Sequence, residues 1–147
     1  MAMLNIRPLS ASDHDAWDAL WQGYLGYYDT SLPAKTRQIA FDRLIAPAAK
    51  THGLLAVQGD TPVGLTHFIF HDHLWRPEGM CYLQDLFTAP QARGQGVARK
   101  LIAAVYQRAD EAGVPGVYWL TQDFNTTARR VYDAVGKLTP FVRYDRP

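Results

Sequence analysis

The sequence predicts a single α/β domain built on a mixed, mostly antiparallel sheet. Three observations lead there. Two apolar strand-like runs flank a tight turn in the first half of the chain. A strand–helix–strand–helix succession fills the second half. The 147 residues contain no linker, repeat or low-complexity stretch that would divide them. A chain of this length buries roughly 70% of the surface it would expose unfolded, enough for a core without covalent staples.

The elements follow in order. LNIRPLS, residues 4–10, is a first strand that Pro8 marks as an edge or an end. Ser12 and Asp15 have the spacing of a capping box. Behind them Trp17, Leu20, Trp21, Tyr24, Leu25 and Tyr28 recur at helical spacing, so a first helix carries an aromatic stripe. DTSLP breaks it, and a second helix over 34–46 ends before Pro47. GLLAVQ (53–58), GDTP and VGLTHFIF (63–70) form a β-hairpin. HDHLWRPEG is a loop, and MCYLQDLFT (80–88) a strand bounded by Pro90. Val97, Leu101, Ile102, Val105 and Ala109 define a helix over 97–112 that Gly113 closes. GVYWLTQ (116–122) is a buried strand, Asn125 caps a short helix through Val135, and PFVRYD (140–145) is a last strand. A helix between two strands favours a parallel βαβ unit.

Composition narrows the function classes. A net charge of +1 argues against a dedicated nucleic-acid binder. The one cysteine, Cys81, excludes an internal disulfide framework. The first residues lack the apolar stretch of a signal peptide, and no run approaches the ~20 apolar residues of a membrane span. A cytoplasmic protein with no membrane or nucleic-acid partner is expected.

The chemistry centres on QARGQGVARKL, residues 91–101. Gly94 and Gly96 open a helix that follows a strand. A helix N-terminus offers unpaired N–H groups and partial positive charge, glycines admit an anion close to the backbone, and Arg93 adds charge. A phosphate or diphosphate site is one reading; a plain turn beside a solvated arginine is the other. A P-loop is excluded, since its Lys-Ser/Thr ending is absent. A Rossmann fingerprint is excluded because Arg99 stands in place of the third glycine and the loop comes late.

Gln91-Ala92-Arg93-Gly94-Gln95-Gly96 resembles the Gln/Arg-x-x-Gly-x-Gly/Ala signature of the GNAT family of N-acetyltransferases. The likeness extends to YLQDLFTAP, similar to the family's fourth strand, and to YWLTQDFNTTARRVYDAVGK, similar to its fifth strand and following helix. The first helices and HFIFHDHLW are similar to a branch of small-amine- and histone-acetylating enzymes. The resemblance implies a GNAT-type domain over 1–147, with the sheet splayed between its fourth and fifth strands and helices on both faces. It implies acetyl-coenzyme A as cosubstrate, no metal, and transfer of an acetyl group to a primary amine of a small molecule or lysine side chain by direct attack. A homodimer is implied as well. A protein or peptide N-acetyltransferase, or a non-catalytic coenzyme A sensor, are the alternatives.

The same resemblance assigns residues. Backbone groups of Leu86, Phe87 and Thr88 would pair with the pantetheine arm. N–H groups of Arg93, Gly94, Gln95, Gly96, Val97 and Ala98 would take the diphosphate, and Asn125 the arm from the far side. Arg99, Lys100, Arg129 and Arg130 are candidates for the terminal phosphate or for a solvated helix face. A bulge at Leu86/Phe87 would free an N–H as oxyanion donor, which makes Phe87 catalytic through its backbone. Asn125, Ala128 and Tyr132 share one helix face, so Tyr132 would stand near the sulfur and assist the leaving thiolate. Tyr24, Tyr28 and Gln84 are acceptor-contact candidates, with Tyr27 and Asp29 beside them; aromatic faces suit an ammonium. Gln84 occupies a position where relatives often carry glutamate, which leaves Asp85, Glu78, His67, His71 or water as the base. On a regular strand Gln84 and Asp85 would point oppositely. His67, His71 and His73 share parity, but without a matching cysteine pair or zinc spacing they predict no metal site.

Overall fold

A computed structural model describes residues 3–47 and 49–147. Among the described residues, one sheet runs in the order β1 (Leu4–Pro8), β2 (Thr51–Gln58), β3 (Thr61–His73), β4 (Arg76–Thr88) and β5 (Val117–Tyr118). The first four strands pair antiparallel with their neighbours, and β5 runs parallel to β4. Helices α1 (His14–Tyr27) and α2 (Ala34–Ile45) cover one face; α3 (Val97–Glu111) and α4 (Thr126–Val135) cover the other.

Strand alternation builds the two cores. Leu54, Ala56, Phe68, Cys81 and Leu83 pack beneath Leu101, Ile102 and Val105 of α3. Leu55 and Leu65 pack against Trp17, Trp21 and Phe41 of α1 and α2. The mixed sheet and the helices on both faces are therefore as expected. No helix among the described residues is long and apolar enough to cross a membrane.

Four local expectations are corrected. The capping box lies at Ser10 and Asp13, not Ser12 and Asp15: a 3₁₀ turn over Ala11–Asp13 precedes α1, and the Ser10 N–H donates to Asp13 Oδ2 at 2.8 Å. Asp13 wins because Arg7 also grips it through both guanidinium nitrogens, at 2.7 and 2.8 Å. Residues 71–79 are not a loop. The hairpin continues through His73↔Arg76, turning at exposed Leu74–Trp75. Gly79 permits this with φ +86, where an added Cβ would lie 2.6 Å from the His71 carbonyl oxygen. The strand expected over 116–122 shrinks to Val117–Tyr118 because the chain diverges from β4 after two residue pairs. The strand expected over 140–145 is extended chain without a sheet partner; Leu138, Phe141, Val142 and Tyr144 are 71–93% exposed.

The Arg7 guanidinium holds the Asp13 carboxyl down at about 2. A depressed carboxylate pKa stabilises the fold above the unfolded value near 4, and that contribution disappears as pH falls toward 2. Arg7 stands partly in solvent, so screening limits the effect to about 1 kcal/mol. Asp13→Asn is expected to lower the urea midpoint at pH 7 and to narrow its gap from wild type at pH 2.5.

Candidate active site

The sheet opens between β4 and β5. Only Cys81↔Val117 and Tyr82↔Tyr118 join the two strands. Beyond them Leu83–Thr88 have β3 on one side and no strand on the other. Their free backbone edge can accept an extended ligand as a strand would.

A bulge interrupts β4 at this opening. His67 pairs with Asp85 and Phe68 with Leu83, so Gln84 is the extra residue. The register break thus falls at Gln84 and not at Leu86/Phe87. Its effect is to exchange faces. Cys81 and Leu83 lie in the α3 core, and beyond the bulge it is Leu86 that returns there. Regular alternation would have sent Asp85 into that apolar core. The bulge turns it toward α1 instead.

There Asp85 enters a buried polar network. Trp17 Nε1–H donates to His67 Nε2 at 2.8 Å. An indole nitrogen only donates, so Nε2 carries the lone pair and the imidazole proton sits on Nδ1. His67 Nδ1–H then donates to Asp85 Oδ2 at 2.8 Å, and Trp21 Nε1–H to the same oxygen at 3.3 Å. His67 is therefore neutral, with no lone pair left for an acceptor amine. The other histidines have separate partners: His71 Nε2 meets Tyr118 Oη at 2.7 Å, and His73 Nδ1 accepts from the Trp75 N–H at 3.1 Å. Glu78 lies between Met80 and Arg76 in the β3–β4 hairpin, on the side of Cys81 away from the opening.

Tyrosines line the mouth on the α1 side. Burial, and then the nearby charge of Asp85, push the Tyr24 hydroxyl up. Tyr28 packs 5.2 Å from Tyr24 and 5.0 Å from Tyr27, ring centre to ring centre. Tyr82 and Tyr118 stack at 4.9 Å. Across the opening, Tyr132 of α4 sets its ring edge-on to Trp119 at 5.6 Å. Burial, with lesser contributions from Tyr28 and Tyr27, pushes its hydroxyl up to about 12. The end of α1 and the middle of α4 thus approach one another over the gap. Phe87 fills the space behind, where a Cβ on Gly23 would lie 3.0 Å from its ring.

The glycine loop follows. Gly94 and Gly96 have φ +79 and +80, and an added Cβ at either would meet no atom within 4 Å. Their conformation, not protein packing, calls for glycine. Gly96 is the N-cap of α3, with no side chain capping it. Gln58 Nε2 donates to Gln95 Oε1 at 3.1 Å, and Arg93 Nε to the Thr88 carbonyl at 3.2 Å. Open space, bare backbone and an uncapped helix start fit a diphosphate. Asn125 Oδ1 accepts from the Ala128 N–H at 3.3 Å, as its capping role requires. Arg129 Nη1 donates to the Asp123 carbonyl at 2.7 Å.

A family model described as acetyltransferase (GNAT) family matches residues 14–136, from the start of α1 past the end of α4. The chain belongs to the GNAT family. It is an acyltransferase, and the family's reaction draws its acetyl group from acetyl-coenzyme A. It is 38% identical to the D-amino-acid N-acetyltransferase HPA3 of Saccharomyces cerevisiae over 143 residues, 96% of this chain and 89% of that one. It is 31% identical to the thialysine N-epsilon-acetyltransferase of Caenorhabditis elegans over 84 residues, 57% of this chain and 52% of that one. Among solved structures, AAC(6')-Iy in complex with a bisubstrate analogue matches with a TM-score of 0.88 at 21% identity, covering 99% of each chain. That last likeness is one of fold.

The GNAT frame brings Tyr24, Tyr28 and Tyr132 to one opening and sets the glycine loop along the same edge of β4. Gln84 lies exposed at the bulge. The Trp17–His67–Asp85–Trp21 network escaped sequence reasoning. Its only signal was three polar-capable residue types embedded in otherwise apolar runs.

Proposed function

We propose that this chain acetylates the primary amine of a small molecule, with D-amino acids and lysine-like amines as the acceptor class. The observation that carries the reading is the tyrosine-lined mouth on the α1 side of the splayed sheet, with Tyr132 facing it from α4. Similarity to the yeast D-amino-acid enzyme over almost the whole chain supports the class. Acetyl-coenzyme A, when bound, supplies an activated acetyl thioester. Leu86, Phe87 and Thr88 offer backbone groups to its arm, Asn125 offers its amide, and the N–H groups from Arg93 to Ala98 hold the diphosphate. Tyr132 keeps its proton at neutral pH and presents it to the departing sulfur. A backbone N–H at the opening, from the Gln84 bulge to Phe87, serves as oxyanion donor. Tyr24, Tyr28 and Gln84 contact the acceptor.

Thiol release from acetyl-coenzyme A, measured over D- and L-amino acids, lysine analogues, polyamines, aminoglycosides and lysine peptides, tests this. Release with D-amino acids or lysine analogues is expected. Binding without release for every amine would make the chain a coenzyme A sensor, and release with peptides alone would make it a protein acetyltransferase.

The reading includes a homodimer in the cytoplasm. Free, buried Cys81 suits a reducing compartment. Residues 138–147 hold out strand-forming apolar side chains that a second copy would cover. Deleting residues 138–147 is expected to convert a dimer to monomer in light scattering. A full-length chain that is monomeric at high micromolar concentration retires the dimer.

A further inference from the structure

A bulge is a choice of register, and other registers are open to β4. With Phe68 opposite Leu83 and no bulge, Gln84 would face His67 and Asp85 would fall into the apolar α3 core. With the bulge one residue later, Gln84 would again face His67 and Asp85 would be the extra residue. In the observed register Asp85 faces His67 and Gln84 is left over. We propose that the buried network of Trp17, Trp21, His67 and Asp85 keys this register, which makes Asp85 a positioning residue for the backbone N–H that receives the thioester oxygen. This rests on the acetyltransferase reading above.

The slot opposite His67 accepts only one kind of side chain. Two donors face it, His67 Nδ1–H at 2.8 Å and Trp21 Nε1–H at 3.3 Å, and both meet a single oxygen, Asp85 Oδ2. The lone pair of His67 is already taken by Trp17 Nε1–H at 2.8 Å, so the slot requires an acceptor. Asp85 supplies one at that reach. Gln84 would carry its amide one methylene further, past the point where the two N–H groups converge. Both donors would then be buried without a partner, which costs their desolvation. The backbone is held as well: the fully buried Thr66 hydroxyl donates to the Asp85 carbonyl at 2.8 Å. In this register every buried side-chain polar atom among the described residues has a partner.

Buried polar groups can select one arrangement of the chain without adding much stability, and a register is such an arrangement. The consequence lies at the opening. The residue left without a β3 partner is where the strand is free to turn an N–H into the gap. With Gln84 in that role, Leu86 returns to the α3 core and the free edge beyond it keeps its facing. Trp17 and Trp21 stand on α1, so the key is held by the helix packed on that face and not by β3 alone. The network acts through the backbone of β4 and touches neither substrate.

The test sets Asp85→Leu against Asp85→Asn in the full chain. Leucine offers no acceptor and suits the α3 core, so the bulge should move or vanish. The asparagine oxygen can still take both N–H groups. Each variant is crystallised, titrated with acetyl-coenzyme A and assayed for kcat and KM with D-phenylalanine. In Asp85→Leu, Gln84 should gain a β3 partner and kcat should fall about 10²-fold, the scale of losing one oxyanion donor. Acetyl-coenzyme A affinity and the acceptor KM should stay near wild type, as befits an interaction made only in the transition state. Asp85→Asn should keep the wild-type register and recover most of that loss. If Asp85→Leu does not fold, His67→Phe/Asp85→Leu, which removes the opposing donor too, carries the test. A bulge still at Gln84 in the leucine variant overturns the key whatever the turnover. So does a loss in Asp85→Asn as large as in Asp85→Leu, or one that lies wholly in KM or in acetyl-coenzyme A affinity; the acetyltransferase reading then stands. No thiol release from wild type with any amine overturns that reading and the positioning role with it.

Discussion

Gly94→Val is expected to abolish measurable binding of acetyl-coenzyme A in a protein that still folds. Gly94 sits at φ +79, a region that costs a β-branched residue more than the 1–2 kcal/mol typical of an L side chain there. The variant therefore rotates its backbone, turning an N–H out of the anion cradle, or keeps the conformation and projects two methyl groups into the open space. That space holds no protein atom within 4 Å of the Cβ, so stability should fall only by the backbone strain. Gly94→Ala separates the two effects, since it adds strain with little bulk and should weaken binding less. Calorimetry with acetyl-coenzyme A decides. Unchanged affinity in folded Gly94→Val would take the loop out of the site.

Tyr132→Phe should lower turnover by about 10²-fold, the lower end for general-acid assistance, with cofactor affinity near wild type. The ring rests edge-on against Trp119 and remains in the variant, so the melting temperature should barely move. With its hydroxyl pushed up to about 12, Tyr132 stays protonated across the working pH range. Wild-type turnover should accordingly show no alkaline loss from this group below pH 11. The measurement pairs steady-state turnover on the best acceptor with an acetyl-coenzyme A titration. Full turnover in a well-folded variant would leave Tyr132 as a packing residue.

The parts of the fold written in local periodicity were legible. Val97, Leu101, Ile102, Val105 and Ala109 recur at helical spacing, and each is buried in α3. Asn125 caps α4 as its residue type demands. Features set by pairing between distant residues were not legible. The extra residue at Gln84 depends on which β3 residue faces it, and nothing in LQDLF records that. Because faces were assigned by regular alternation, Asp85 was separated from the network that holds it. FVRY has the composition of a strand, yet composition does not say whether a sheet edge lies within reach. The hairpin through His73 and Arg76 failed in the other direction: polar residues and Pro77 disguise backbone pairing that needs no apolar side chain.

Two residue pairs are all that tie β5 to β4, and α4 leans on α3 through the Tyr106 hydroxyl, which donates to the Val135 carbonyl at 2.7 Å. The molecule therefore has a seam. Segments attached by so few backbone hydrogen bonds open at a lower free energy than the global fold, so amides over 114–136 should exchange before those of β2 and β3. A ligand lying in the gap binds both banks at once. At a hundredfold excess over its Kd it adds about 2.7 kcal/mol to the closed form. With acetyl-coenzyme A seated in the gap as proposed, the second half of the chain is expected to resist opening in step with occupancy. Protease resistance along that half becomes a gauge of occupancy that requires no turnover.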